Sequence, residues 1–413
     1  MYNIFLKKLE QSDKPIDIIV VGLGFMGFGF FSATKHVPNL RVPLIITRRP
    51  DEAKKFLLEK GYKVAYEDNP VKIKELADEG YICVSDNLDL ISNYPNNLVF
   101  EVTGTVSYGT DVALRAITAG KNLVTMNPEL QATVGTVLKQ LADKKGLIIS
   151  DVLGDQPGSL ARLIANAKMM GFKPLVAGNM KRYMDKHATQ KQMQPWADDK
   201  GLAVRQTVSF TDGSKQSIEM TLVANYFGMN LLKPGMKGPQ VDNIKQALDE
   251  FKNENIPNEG IVDYVIGRHL FPGVFVIAKH KDPNQQKYLR YLNMGEGPCY
   301  VLFDAYHLTH LEVVNTIASV ILFGQETINN GTTPVAKSAA IAKSHLKKGQ
   351  TLDGIGGDTV YGQIYHINES KNYLPVGLAE GAILLRDITQ DEPISFDDVK
   401  LPINPATKIL GLV

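Results

Sequence analysis

Residues 16–27 read Ile16-Asp17-Ile18-Ile19-Val20-Val21-Gly22-Leu23-Gly24-Phe25-Met26-Gly27. A short apolar run ends in G-x-G-x-x-G, and residues 25–34 continue with a helical pattern. Strand, glycine turn and helix in that order form the context in which this motif binds a dinucleotide. Gly22 permits the tight turn. Gly24 lets the backbone approach a pyrophosphate, which a Cβ would obstruct, and Gly27 allows close packing of helix on sheet. With Phe25 and Met26 these glycines open a helix whose unpaired N–H groups would meet the phosphates. The bland alternative is a tight strand-to-helix turn that binds nothing.

The alternation continues outward from this stretch. Residues 42–46, 98–102, 122–125 and 147–150 read as strands, and residues 50–60, 108–119 and 132–145 as helices. Strands alternating with helices imply a parallel sheet covered on both faces. The expected fold class is α/β: a Rossmann doubly wound parallel sheet over residues 1–150. An α+β catalytic or dimerisation domain follows over 151–334, and a small, mostly β domain over 335–413. In the middle segment residues 174–177 and 204–210 read as strands, and residues 217–227 and 241–253 as helices. Residues 308–322 form a long apolar helix candidate with Gly324 near its end. The stretch 337–348 reads as the joint to the last domain.

The second strand ends in Thr47-Arg48-Arg49. An acid at this place bonds the ribose hydroxyls of NAD, whereas Arg48 and Arg49 suit the 2′-phosphate of NADP(H) by charge and forked hydrogen bonding. Glu101-Val102-Thr103-Gly104-Thr105 follows a further strand, and carboxyl-end loops line the ligand crevice of such sheets. Backbone near Thr103 and Gly104 is therefore placed to pass under the nicotinamide ribose.

Composition narrows the class. Hydrophobic residues make up 44% and charged residues 22%, which excludes disorder as the main state. Lys plus Arg number 45 against 44 Asp plus Glu, so no general attraction to nucleic acid or an anionic membrane is expected. No apolar run approaches the roughly 20 residues that cross a bilayer. Cys83 and Cys299 are two distant cysteines without metal-ligand spacing. The expectation is a cytoplasmic enzyme acting on a small molecule, as a homo-oligomer (dimer or tetramer).

Several further motifs occur in a fixed order. They are Val124-Thr125-Met126-Asn127, Gly154-Asp155-Gln156-Pro157-Gly158, Ala177-Gly178-Asn179-Met180-Lys181, Asp212-Gly213-Ser214-Lys215-Gln216-Ser217-Ile218-Glu219-Met220 and Tyr306-His307-Leu308. Leu352-Asp353-Gly354-Ile355-Gly356-Gly357 and Leu374-Pro375-Val376-Gly377 complete the series. Together with the glycine loop they resemble the DRL family, the 1-deoxy-D-xylulose 5-phosphate reductoisomerase-like oxidoreductases, with a homoserine dehydrogenase-like nucleotide domain. The final segment resembles a SAF module. The resemblance implies NADPH, with Asn127 at the cofactor, and a ketose phosphate substrate. It also implies rearrangement and reduction of 1-deoxy-D-xylulose 5-phosphate, a step toward isoprenoids. Where homoserine dehydrogenases usually place a lysine after the Asn, Pro128 and Glu129 stand here.

Reduction of a ketone needs a group that polarises or protonates the developing alkoxide. A rearrangement also calls for a divalent metal, Mg or Mn, held by carboxylates. Lys215 and Glu219 lie four apart and share a helix face. The alternative for them is a surface ion pair, with Asp212 as a cap. Asp155 is a candidate acid or, with Glu219, a candidate metal ligand; it equally suits the N-cap of the next helix. Lys181 suits a phosphate, and His307, better placed than His187, suits acid–base work near neutral pH. Two further readings stay open. One is a dehydrogenase acting on another keto sugar, sugar nucleotide or keto acid without rearrangement, and the other is a ligand-binding scaffold without turnover.

Overall fold

The computed structural model describes residues 2–413. The chain divides into two compact units. The first comprises residues up to 130, 137–155 and 308–329; the second comprises 131–136, 156–307 and 330–413. The apolar helix Thr309–Phe323 thus belongs to the first unit, and the segment after 330 belongs with 156–307.

The first unit is built on seven parallel strands: β1 (Ile16–Val21), β2 (Leu40–Ile46), β3 (Val64–Tyr66), β4 (Ile82–Ser85), β5 (Leu98–Glu101), β6 (Asn122–Thr125) and β7 (Ile149–Asp151). Their order is β3-β4-β2-β1-β5-β6-β7. The chain winds outward from β1 through β2 and returns on its other side at β5. The reversal between β1 and β5 is the switch point at which such sheets bind ligands. The expected Rossmann fold is present, and β3 and β4 add two short strands that the apolar pattern did not reveal. Ile18, Val20, Ile45, Phe30, Phe100 and Val124 form a buried core. Val313, Ile317 and Val320 of the helix Thr309–Phe323 complete it. Main chain closes the contact, with Asp151 N–H donating to Ile328 O at 2.7 Å.

The second unit centres on a four-stranded sheet: β8 (Phe172–Lys181), β9 (Ile261–Ile266), β10 (Val274–His280) and β11 (Cys299–Asp304), in the order β11-β10-β8-β9. β8 and β9 run parallel, and β10 is antiparallel to β8 and β11. The helices Gln156–Met169 and Ser214–Phe227 pack on this sheet. A hairpin of β12 (Ala336–Ala342) and β13 (Val360–His366) packs on Ser214–Phe227.

Three local expectations differ from the structure. Residues 204–210, strand-like because of Val204, Thr207 and Val208, are the helix Val204–Thr211. There Thr211 Oγ1 donates to Thr207 O at 2.9 Å and Ser209 Oγ to Gln206 O at 2.8 Å, so the small hydroxyls bond back along the helix instead of pairing strands. Half of the stretch 337–348 belongs to the largely buried strand β12, and Lys343 just after it is buried too. Residues 241–253 hold only the short helix Ala247–Phe251 after a single 3₁₀ turn.

A buried ion pair ties the residue after β12 to the turn before the helix Ser214–Phe227. Lys343 Nζ meets Asp212 Oδ2 at 2.8 Å, with side-chain exposures of 2% and 0%. It also donates to Ala188 O at 2.8 Å and Gly357 O at 2.7 Å, so its three protons are matched. Asp212 Oδ1 accepts from Ser214 N–H at 2.8 Å, and Ser214 Oγ accepts from Gly362 N–H at 2.7 Å. Burial pushes the Asp212 carboxyl up, against the pull of Lys343.

Removing one partner leaves the other charge buried alone. Lys343→Met should therefore lose about 3–5 kcal/mol of unfolding free energy in urea titration. Asp212→Asn/Lys343→Met should lose less than the lysine variant, because neither charge then remains.

Candidate active site

The carboxyl ends of β1, β2, β5 and β6 are held level by register. Val21 pairs with Ile46 on one side and Glu101 on the other, and Glu101 pairs with Thr125. The turn after β1 therefore meets the turn after β5. Gly22 has φ +108°, and a Cβ there would lie 2.8 Å from Val102 O. A Cβ on Gly27 would lie 2.6 Å from Gly22 O. Only glycine fits either place. A Cβ on Gly24 would meet nothing within 4 Å. Gly24 is the N-cap of Phe25–Thr34 and leaves the first amides without a side-chain cap. An open space before uncapped amides fits a pyrophosphate.

A buried carboxylate organises the neighbouring turns. Glu101 is fully buried. It accepts from Thr103 N–H at 2.8 Å, from the Thr103 hydroxyl, from Thr125 Oγ1 at 2.7 Å and from Asn127 Nδ2 at 3.2 Å. Asn127 Nδ2 also donates to Thr105 O at 3.1 Å, and its Oδ1 accepts from Leu130 N–H at 3.1 Å. Thr103 and Asn127, named separately from the sequence, are thus joined through Glu101. Burial pushes the Glu101 carboxyl up; its donors pull the other way without cancelling it. The sequence displays Glu101 in a motif, but neither spacing nor periodicity marks it as a hub.

Arg48 and Arg49 are exposed at the end of β2. The Arg48 guanidinium lies 5.4 Å from the centre of the Tyr108 ring, and Arg49 pairs with Glu52 at 3.1 Å. The Phe25 and Met26 side chains line an apolar hollow of about 430 Å³ with Leu23, Phe28, Phe56 and His310.

In the second unit a polar cluster forms where β8 passes the starts of two helices. Asn179 Nδ2 donates to Gln156 Oε1 at 2.7 Å, Glu219 Oε2 at 2.8 Å and Gln216 Oε1 at 3.2 Å. Lys181 Nζ lies 3.4 Å from Gln156 Oε1. Asn179, Gln216 and Glu219 are buried, while Lys181 and Lys215 are half-buried. Asn179 Oδ1 and Gln216 Nε2 are buried without a hydrogen-bond partner, an unmatched acceptor and donor in one cluster. The helix Ser214–Phe227 places Lys215 and Glu219 one turn apart. Gln156 and Gln216 lie inside quoted motifs; their meeting depends on the packing of helix on strand, which no local pattern encodes.

The remaining candidates fall elsewhere. Asp155 is buried immediately before the helix Gln156–Met169. His307 is half-buried in the connection between β11 and the helix Thr309–Phe323. His187 is tied to Asp391 at 2.9 Å, which occupies it in a surface contact. Among the described residues no three His, Cys, Asp or Glu side chains gather as a metal site. Among them, too, no helix is long and apolar enough to cross a membrane.

The chain is similar to several known proteins. Residues 154–313 match the family model described as the catalytic domain of oxidoreductase DRL. Homoserine dehydrogenase of Lactococcus lactis subsp. lactis (strain IL1403) is 24% identical over 234 residues, covering 52% of this chain and 51% of that protein. The chain thus spans about half the length of this curated relative. Among solved structures, UDP-N-acetylglucosamine 3-dehydrogenase from Acidithiobacillus ferrooxidans aligns at TM-score 0.45 and 11% identity, over 76% of this chain and 92% of that one. D-galactose-1-dehydrogenase from Rhizobium etli aligns at TM-score 0.42 and 13% identity, over 76% and 91%. The chain thus carries both a glycine cradle open to a pyrophosphate and a segment that matches an oxidoreductase catalytic domain.

Gly24→Val fills the open space and should weaken NADPH binding by well over tenfold, about 1.4 kcal/mol or more, in a folded protein. Fluorescence titration of NADPH checks it. Arg48→Ala should reduce the preference for NADPH over NADH more than Arg49→Ala, because Arg49 is already paired with Glu52.

Proposed function

We propose that the chain uses NADP(H) to reduce the keto group of a ketose phosphate such as 1-deoxy-D-xylulose 5-phosphate. The observation that carries this reading is the cluster of Lys181, Asn179, Gln156, Gln216 and Glu219, built inside the segment that matches the oxidoreductase catalytic domain. Bound NADPH supplies a hydride to the carbonyl carbon. Lys215 stabilises the negative charge that develops on the carbonyl oxygen and gives it a proton. Lys181, a flexible point charge, takes the phosphate. Glu219 and Asn179 hold substrate hydroxyls, for which the unmatched Asn179 Oδ1 and Gln216 Nε2 are a ready acceptor and donor.

A second reading, reduction of another keto sugar without skeletal rearrangement, is favoured by one observation. Glu219 accepts from the Asn179 amide, and no trio of metal-ligating side chains accompanies it among the described residues. Screening ketose phosphates, unphosphorylated ketoses and aspartate semialdehyde for NADPH consumption, with and without Mg²⁺ or Mn²⁺, separates the two. Product analysis then shows whether the carbon skeleton has changed.

Removing a donor to a developing oxyanion costs about 2.7–4 kcal/mol, or 10²–10³ in turnover. Lys215→Met should show that loss while NADPH affinity stays unchanged. Near-normal turnover would remove Lys215 from the reaction.

A further inference from the structure

We infer that Tyr108 is a positioning residue for cofactor choice: its ring holds the Arg48 guanidinium at the cofactor crevice and leaves the guanidinium N–H groups free for the 2′-phosphate of NADP(H). The inference rests on reading Arg48 as the partner of that phosphate.

The two residues come from opposite sides of the glycine loop. β2 and β5 flank β1 in the sheet. Gly22 N–H donates to Ile46 O at 2.9 Å and Val102 N–H to Val21 O at 2.9 Å, so the turns after the three strands start level. Arg48 stands two residues beyond β2. Tyr108 is the third residue of the helix Val106–Thr118, which follows β5. The guanidinium carbon lies 5.4 Å from the ring centre, within range of a cation–π contact. That contact joins the β2 side of the β1 turn to its β5 side, at the switch point where a dinucleotide crosses.

How a cation is held decides what it can still bind. An arginine in an ion pair spends its charge and its forked N–H groups on the carboxylate. Arg49 does so with Glu52 at 3.1 Å. The acids around Tyr108 are engaged elsewhere: Asp111 accepts from Arg115 Nε at 3.1 Å, and Asp86 accepts from the Tyr66 hydroxyl at 3.1 Å. Among the described residues no carboxylate pairs with Arg48. A ring face attracts the cation through its quadrupole and accepts no fork of hydrogen bonds. Arg48 is thereby restrained with its charge unneutralised, and it loses less freedom when a phosphate arrives.

The test measures dissociation constants of NADPH and NADH for the intact chain by calorimetric titration. Tyr108→Leu keeps the bulk and removes the π face. It should lower the preference for NADPH over NADH about two- to fivefold, the range of an exposed cation–π contact. Tyr108→Phe, which loses only the hydroxyl, should keep the wild-type preference. In an Arg48→Ala background Tyr108→Leu should change the preference no further, because the ring acts through the guanidinium. An unchanged or raised preference in Tyr108→Leu, a loss in Tyr108→Phe, or an undiminished effect of Tyr108→Leu beside Arg48→Ala each overturns the inference while leaving the cofactor site intact. A wild type that binds NADPH no more tightly than NADH overturns the reading of Arg48 and the inference together.

Discussion

The first unit depends on the level carboxyl ends of its parallel strands. Pairing of Val21 with both Ile46 and Glu101 brings three turns to one edge. Each turn then has a distinct task. The β1 turn offers uncapped amides, the β2 turn offers two guanidinium groups, and the β5 turn is pinned from below by a carboxylate. A slip of one residue between β1 and β5 would separate Gly22 from Val102, and the close approach that demands glycine would disappear.

The second unit solves a different problem. Its central helix, Ser214–Phe227, is buried along nearly all its length yet begins with polar residues. Those residues are satisfied from two directions. Asn179 serves Gln216 and Glu219 from β8, while Lys343 and Gly362 serve Asp212 and Ser214 from the C-terminal hairpin region. The hairpin is thereby part of what fixes the start of the helix that carries Lys215. An amide such as Asn179 has two protons for three acceptors, so the cluster is shared and adjustable, whereas the Lys343 ammonium is fully matched.

What could be read from sequence follows the range of each interaction. The glycine loop was legible because strand, turn and helix are contiguous and Gly22 and Gly27 each answer a local steric demand. The helix Thr309–Phe323 was legible from its apolar content and its Gly324 stop. The helix Val204–Thr211 was misread because β-branched residues favour strands until packing and back-bonding decide otherwise. Strands β3 and β4 are short, and no long apolar run announces them. Lys215, Glu219 and Lys181 stood out as charged groups in ordered motifs. Glu101 as a hub, the Gln156–Asn179–Gln216 contacts and the Asp212–Lys343 pair join residues far apart in the chain, and such pairings leave no periodic trace. Lys343, in a stretch that reads as the joint to the last domain, is one of the most buried charges described.

The discontinuity of the first unit bears on how the chain is made. Val313, Ile317 and Val320 belong to the same core as Ile18 and Phe30, yet the whole segment 156–307 intervenes. At a synthesis rate of about 5–20 residues per second, that segment delays the last piece of the core by roughly 8–30 s. During that interval the nascent sheet carries an apolar surface that only the later helix covers. An emerging chain in this state is a client for a holding chaperone, and slow codons placed within 156–307 would prolong its exposure.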